Sequence, residues 1–140
     1  AFPTGRASPA PDPSGATGSS TPLTTSLVYD FSSGLVTSSA DANGQTTAYS
    51  YRDEQNNLDR LDRLRKVTTP GGGQTLYSYG DTPGNLFVRT RTALDAARST
   101  DAYQYFDGLG RPFRSARYEN QDAAEPWITV ETEYDALSRV

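Results

Sequence analysis

Pairs of tyrosines two residues apart, each set beside a cluster of turn-forming residues, recur along this chain and restrict its folding more than any other feature. Thr46-Thr47-Ala48-Tyr49-Ser50-Tyr51 returns as Thr75-Leu76-Tyr77-Ser78-Tyr79, and again in short form as Tyr103-Gln104-Tyr105. A period of two puts both rings of a pair on one face of a strand, whereas a helix would turn them apart. Asn43-Gly44 before the first pair predicts a two-residue type I′ hairpin, whose central positions both need positive φ. Gly71-Gly72-Gly73 holds the equivalent place before the second pair. Short β-rich runs separated by Gly, Asn, Asp and Pro read as hairpins in series.

The self-similarity extends beyond the rings. Asn43 to Tyr51 aligns with Gly72 to Tyr79 after one deletion, and Tyr29, Tyr51, Tyr79, Tyr105 and Tyr134 stand 22, 28, 26 and 29 residues apart. A second figure follows the tyrosines. Phe106-Asp107-Gly108-Leu109-Gly110-Arg111 is paralleled by Tyr134-Asp135-Ala136-Leu137-Ser138-Arg139. Degenerate copies occur at Tyr29-Asp30-Phe31-Ser32-Ser33-Gly34-Leu35 and from Asp59 to Leu64. Ser138 and Asp62 take the place of the glycine, Glu54 to Leu58 reads as an insertion, and Thr82 to Ser99 has no clean turn signal.

Composition narrows the chemistry. The chain has 140 residues, with nine Tyr and no Cys, His or Met. Thiolate–zinc sites, disulfides and thiol nucleophiles are excluded, and so is any imidazole base. A hydrophobic content of 34% suits thin sheets with a wet face better than a thick core. Net charge is −4 with acidic and basic residues interspersed, which argues against nucleic acid as a partner. No apolar run approaches a membrane span, so no membrane insertion is expected.

Two segments differ. Residues 1–25 are almost entirely Pro, Gly, Ser, Thr and Ala and predict an extended low-complexity tail or linker. Fully extended, it would reach about 80 Å at roughly 3.3 Å per residue. Such a tail orders only by lying on its own sheet or on a neighbouring subunit. Residues 26–140 carry about four hairpin repeats, the last incomplete.

The paired figures resemble the RHS/YD-repeat family, whose unit runs roughly Y-x-Y-D-x-x-G-R, a strand, a turn, then T-x-Y-x-Y. The resemblance covers about Ser26 to Val140 and rests on Tyr29, Asp30, Tyr49, Tyr51, Tyr77, Tyr79, Tyr103, Tyr105, Asp107, Gly110, Arg111, Tyr134, Asp135 and Arg139. It implies an all-β fold of serial antiparallel hairpins in a twisted or spiralling sheet, behind the Pro/Ser/Gly-rich tail. It also implies an extracellular or cell-surface protein. Relatives form shells around toxin domains, bodies of adhesion receptors and wall-associated proteins.

The residues have physical roles apart from the resemblance. Cross-strand aromatic pairs contribute about 0.2–1 kcal/mol each, and tyrosines at one place in every unit would form a ladder. The Asp after each Tyr can accept turn amides, Gly supplies the turn conformation, and Arg111 and Arg139 can pair with the preceding Asp or with a neighbouring carboxylate. A tyrosine ladder could also bind carbohydrate, but recurring aromatics are usually core or cross-strand pairs, and sheet packing is the stronger reading. Asp12-Pro13-Ser14-Gly15 resembles the Asp-Pro-x-Gly motif of self-cleaving relatives but lacks a second carboxylate, and reads as a turn. Asp59/Asp62 interleave with Arg60/Arg63 as a solvated, salt-bridged surface, and Glu131/Glu133 face water. No catalytic residue, metal ligand or cofactor site is expected.

Trp127, in Pro126-Trp127-Ile128-Thr129-Val130, is the largest apolar group and a candidate subunit contact, as is Val140. The motif places Val140 inside an unfinished hairpin, where an open edge would invite another strand. The expected function is therefore a non-enzymatic structural repeat module. Its partners would be copies of itself, end to end in a fibre, or the rest of a longer repeat chain. A fragment of a toxin-enclosing shell and a glycan-binding adhesin are the alternatives.

Overall fold

The computed structural model describes residues 2–95, 97–118, 128–135 and 139. Trp127 and Val140, expected as subunit contacts, lie outside the described residues, as does Ser138. The described chain is all-β, with ten strands and no helix. It forms two compact units, Ala1–Gly72 and Gly73–Val140. In each, strands pair antiparallel in chain order, so the fold is a series of hairpins.

The first unit contains β1 (Gly5–Ala7), β2 (Thr24–Tyr29), β3 (Val36–Ala40), β4 (Thr46–Ser50) and β5 (Lys66–Thr68). Residues 1–25 therefore supply a strand of their own: Gly5, Arg6 and Ala7 pair with Ser26, Thr25 and Thr24. The intervening loop turns at Asp12, where Gly15 takes φ 68° and its N–H donates to the Asp12 carbonyl at 3.0 Å. The Asp12 carboxylate accepts the amides of Ser14, Thr17 and Gly18 and the hydroxyls of Ser14 and Thr17. Asp12-Pro13-Ser14-Gly15 is a turn held by one carboxylate.

The second unit contains β6 (Gln74–Thr82), β7 (Asn85–Ala93), β8 (Ser99–Phe106), β9 (Pro112–Tyr118) and β10 (Ile128–Glu131). Its strands are longer, up to nine residues. Thr82 pairs with Asn85 across Pro83-Gly84, and Gly84 has φ 79°. This is a Pro-Gly turn, in which Pro presets the first central position and Gly supplies positive φ at the second. Contrary to expectation, the stretch Thr82 to Ser99 thus carries a turn signal at Pro83-Gly84.

The hairpin at Asn43-Gly44 differs from the expected type I′. Gly44 has φ 75°, but Asn43 is absent from the positive-φ residues, so the two-residue turn is not formed. Instead Gly44 N–H donates to Asp41 O at 3.0 Å and Asp41 N–H to Gln45 O at 3.0 Å, enclosing a three-residue loop. The Asp41 carboxylate decides this by accepting the amides of Asn43 (2.8 Å) and Gln45 (2.9 Å). A type I turn followed by a left-handed Gly satisfies both amides.

Each unit is thin. Among the described hydrophobic residues only Ala116 and Tyr118 are buried, while Ile128, Val130 and Val28 are more than half exposed. Hydrogen-bonded ladders, turn clamps and cross-strand pairs therefore carry more of the stability than a hydrophobic core does.

Candidate functional site

The turn that encloses Ala42 to Gly44 recurs on Asp53, Asp59 and Asp107, and on Thr69, whose carbonyl accepts Gly72 N–H at 2.9 Å. In the Asp107 turn, Asp107 Oδ1 accepts the amides of Leu109 and Arg111, both at 2.9 Å. Gly110, at φ 77°, donates its N–H to Asp107 O at 3.0 Å. The Arg111 guanidinium closes the ring on Oδ2, with Nε at 2.7 Å and Nη2 at 2.6 Å. The amide of Arg111, then its guanidinium and the amide of Leu109, hold the Asp107 carboxyl below its ordinary range against the opposing effect of burial. Arg139 repeats the figure on Asp135, with its amide at 2.9 Å and its Nε and Nη2 at 2.7 Å. Each Arg therefore pairs with the Asp four residues before it.

The Asp30 loop is one residue longer, with Gly34 N–H donating to Asp30 O and Asp30 N–H to Leu35 O, both at 2.8 Å, and it is held by other donors. Asp30 accepts the amides of Ser32 and Ser33 and both of their hydroxyls, at 2.6 to 3.0 Å. The Ser32 hydroxyl contributes most to lowering the Asp30 carboxyl to about 2. The stretch expected as an insertion is a further copy of the three-residue turn. Asp53 accepts the amides of Gln55 and Asn57, and Asn56 takes the left-handed position at φ 65°. Asp59 follows at once, with Asp62 at φ 53° where the second unit has Gly110. Both exceptions to glycine are residues that tolerate this conformation.

Asp59 is the most enclosed of these carboxylates, with 1% of its side chain exposed. Arg63 Nε and Nη2 meet its two oxygens at 3.1 Å each, and Arg65 Nη2 approaches Oδ2 at 2.7 Å. The Arg63 guanidinium above all holds the Asp59 carboxyl well below the usual carboxylate range. The sequence predicts a solvated, salt-bridged surface at Asp59; the ion pair with Arg63 forms, but the site is not solvated. Two arginines and the chain reversal around Leu58, where Asp59 N–H donates to Tyr51 O at 2.8 Å, bury it instead.

Tyrosine hydroxyls tie one arm of a hairpin to the start of the arm before it. Tyr29 donates to Pro3 O at 3.1 Å, Tyr51 to Val36 O at 3.1 Å, and Tyr134 to Pro112 O at 2.7 Å. The ring covers the neighbouring residue: Phe2 stacks on Tyr29 at 5.1 Å, and the Arg111 guanidinium lies 4.6 Å over Tyr134. Pro3 thus stands in the first hairpin where Pro112 stands in a later one. That correspondence is visible as Phe2-Pro3 beside Arg111-Pro112-Phe113, but it gains meaning only once the hydroxyl bonds are seen. Tyr49 meets Ser39 Oγ at 3.0 Å.

The tyrosines of the second unit do not share one face. Tyr103 and Tyr105 pair with Arg89 and Phe87, whereas Tyr77 and Tyr79 pair with Thr90 and Val88. Because side chains alternate, Tyr77 and Tyr79 project from the face opposite Tyr103 and Tyr105. A single ladder is therefore not built across this unit. On the Tyr103 face, Tyr103 and Tyr105 stack at 5.8 Å, and Phe87 lies 5.6 and 6.0 Å from them. Arg89 binds Asp101 through two parallel bonds of 3.0 and 2.8 Å and lies 5.4 Å over Tyr103. Burial pushes the Tyr103 hydroxyl up from its ordinary pKa. Neither Arg89 nor Asp101 was singled out from sequence, since their only signal is opposite charge on facing strands.

The arrangement binds backbone to backbone and orients successive strands. Residues 29–58 match the RHS Repeat family, and that span contains the Asp30, Asp41 and Asp53 turns and the Tyr29 and Tyr51 hydroxyl bonds. The comparison with curated proteins finds no match. The repeated tyrosine–aspartate turn, the serial hairpins and the matched segment together support an RHS/YD-repeat assignment for this chain.

Proposed function

We propose that the chain is a non-catalytic wall module that extends by strand addition, joining further hairpins from copies of itself end to end. Its thinness carries this reading: each unit is one layer of sheet in which hydrophobic burial is slight, and such a layer gains stability when neighbours add strands. Proteins with RHS repeats are typically secreted or displayed at the cell surface, which supports an extracellular location.

The β10 edge is suited to strand addition. Thr132 N–H donates to Phe113 O at 2.8 Å, so by alternation the amides of Ile128 and Val130 face β9 and those of Thr129 and Glu131 face outward. Ile128 and Val130 are 68% and 61% exposed. Proline at Thr129 would remove an outward donor and leave the inner ladder intact. Sedimentation and negative-stain imaging over rising concentration should show end-to-end oligomers for the native chain and fewer for Thr129→Pro. A chain that stays monomeric at every concentration would remove self-association.

The shell reading is favoured by the family match, since RHS repeats serve as shell elements. A cavity of about 230 Å³ lined by Tyr49, Tyr51, Ser32, Ser33, Thr37 and Leu58 favours carbohydrate as a ligand. Loss of signal on a glycan array with Tyr49→Ala would support that reading, and an array blank for the native chain would end it.

A further inference from the structure

We propose that Asn43 is a site of spontaneous deamidation whose rate is governed by the Asp41 turn. Asn43-Gly44 is the single Asn-Gly pair in the sequence. The peptide nitrogen after an asparagine can attack the side-chain amide when the following residue has no side chain to obstruct it. Both residues are exposed, and the space where a Gly44 Cβ would lie has nothing within 4 Å. Ring closure and access of water are therefore sterically open.

The chemistry needs only water. Gly44 N loses its proton and bonds to Asn43 Cγ, the Cγ–Nδ2 bond breaks, and ammonia departs with the proton. Water then opens the succinimide at either carbonyl, yielding aspartate or isoaspartate. The fold opposes the first step. Gly44 N–H is engaged with Asp41 O at 3.0 Å, and the Asp41 carboxylate fixes the amides on both sides of the reacting pair at 2.8 and 2.9 Å. The turn must open before Gly44 N can attack. Isoaspartate would insert an extra backbone carbon between Asp41 and Gln45, so the loop that sets the β3–β4 register could not re-form unchanged. Asn56, Asn57 and Asn85 are followed by Asn, Leu and Leu, whose side chains shield the attacking nitrogen.

The test is peptide mapping by mass spectrometry, with isoaspartate detection, of the full chain incubated at mildly alkaline pH. The comparisons are the folded native chain, the native chain in urea, Asp41→Ala and Asp41→Asn. The folded native chain should convert at Asn43 about five- to tenfold more slowly than in urea, the factor expected from one or two turn hydrogen bonds. Asp41→Ala should approach the urea rate, while Asp41→Asn, which keeps an acceptor oxygen, should stay near native. Equal rates for folded and urea-treated native chain would overturn the proposal, as would no conversion in urea. The native comparison holds even if a variant does not fold.

Discussion

The two units hold a thin sheet together by different means. In the first, strands are three to six residues long, and the stabilising groups sit in the connections: serine hydroxyls on Asp30, two arginines on Asp59, and the Tyr29 and Tyr51 hydroxyls on distant carbonyls. In the second, strands run to nine residues, and an aromatic cluster and the Arg89–Asp101 pair sit on the sheet itself. Longer strands offer more facing positions, so cross-strand contacts are added there to the loop clamps of Asp107 and Asp135. The Asp turn common to both sets chain direction, and what stabilises the sheet around it can vary.

The comparison predicts where damage should stay local. The largest effect should come from Gly80→Val. A Cβ at Gly80 would lie 2.3 Å from the Phe87 ring and 2.7 Å from Asn85 O, so the aromatic cluster must move. The expected loss is about 2–3 kcal/mol, read as faster amide exchange across β6 and β7 with β2 and β3 unchanged. Uniform loss of protection in both units would break the distinction.

Next is Asp59→Ala, which leaves Arg63 and Arg65 facing a missing carboxylate. Buried pairs broken on one side cost about 3–5 kcal/mol, and the partial exposure of both arginines reduces this to about 2 kcal/mol. The change should appear in the exchange of β4 and β5. Tyr51→Phe removes one half-buried hydroxyl bond and should cost about 1 kcal/mol in urea unfolding. Asp62→Gly should stabilise the first unit by about 0.5 kcal/mol, because relief of the left-handed strain is partly offset by the freer unfolded chain.

The smallest effect concerns pH. Asp30 has its carboxyl depressed from 3.8 to about 2 in the folded chain. Its contribution is present above the unfolded value and is lost as pH falls through the folded one. Thermal melts should therefore show first-unit stability declining between about pH 4 and pH 2, and Asp30→Asn should flatten that decline. An unchanged slope would mean that the serine clamp does not stabilise the fold.

Much of the hairpin series was legible in the chain. Tyr-x-Tyr spacing specifies strands through the two-residue period, and Asp-x-x-Gly specifies turns because both residues have narrow backbone roles. Asp62 in the place of glycine was readable for the same reason, and it takes positive φ. The error at Asn43-Gly44 arose because the dipeptide was read without Asp41, whose carboxylate selects a longer loop. Pro83-Gly84 is equally local, since its two residues by themselves suit the turn between β6 and β7.

Local chemistry alone settled the all-β class, the spacing of the turns and the identity of the turn aspartates, since each depends on residues within about five positions of one another. Tertiary structure decided three things that depend on strand pairing. Tyr77 and Tyr79 lie on the opposite face from Tyr103 and Tyr105, because face follows from register across two hairpins. Asp59 is buried, because Arg65 arrives from beyond the loop. Phe2-Pro3 belongs to the first hairpin, because Tyr29 reaches back 26 residues to bind it. A one-residue change in register would reverse all such assignments, and no local motif encodes it.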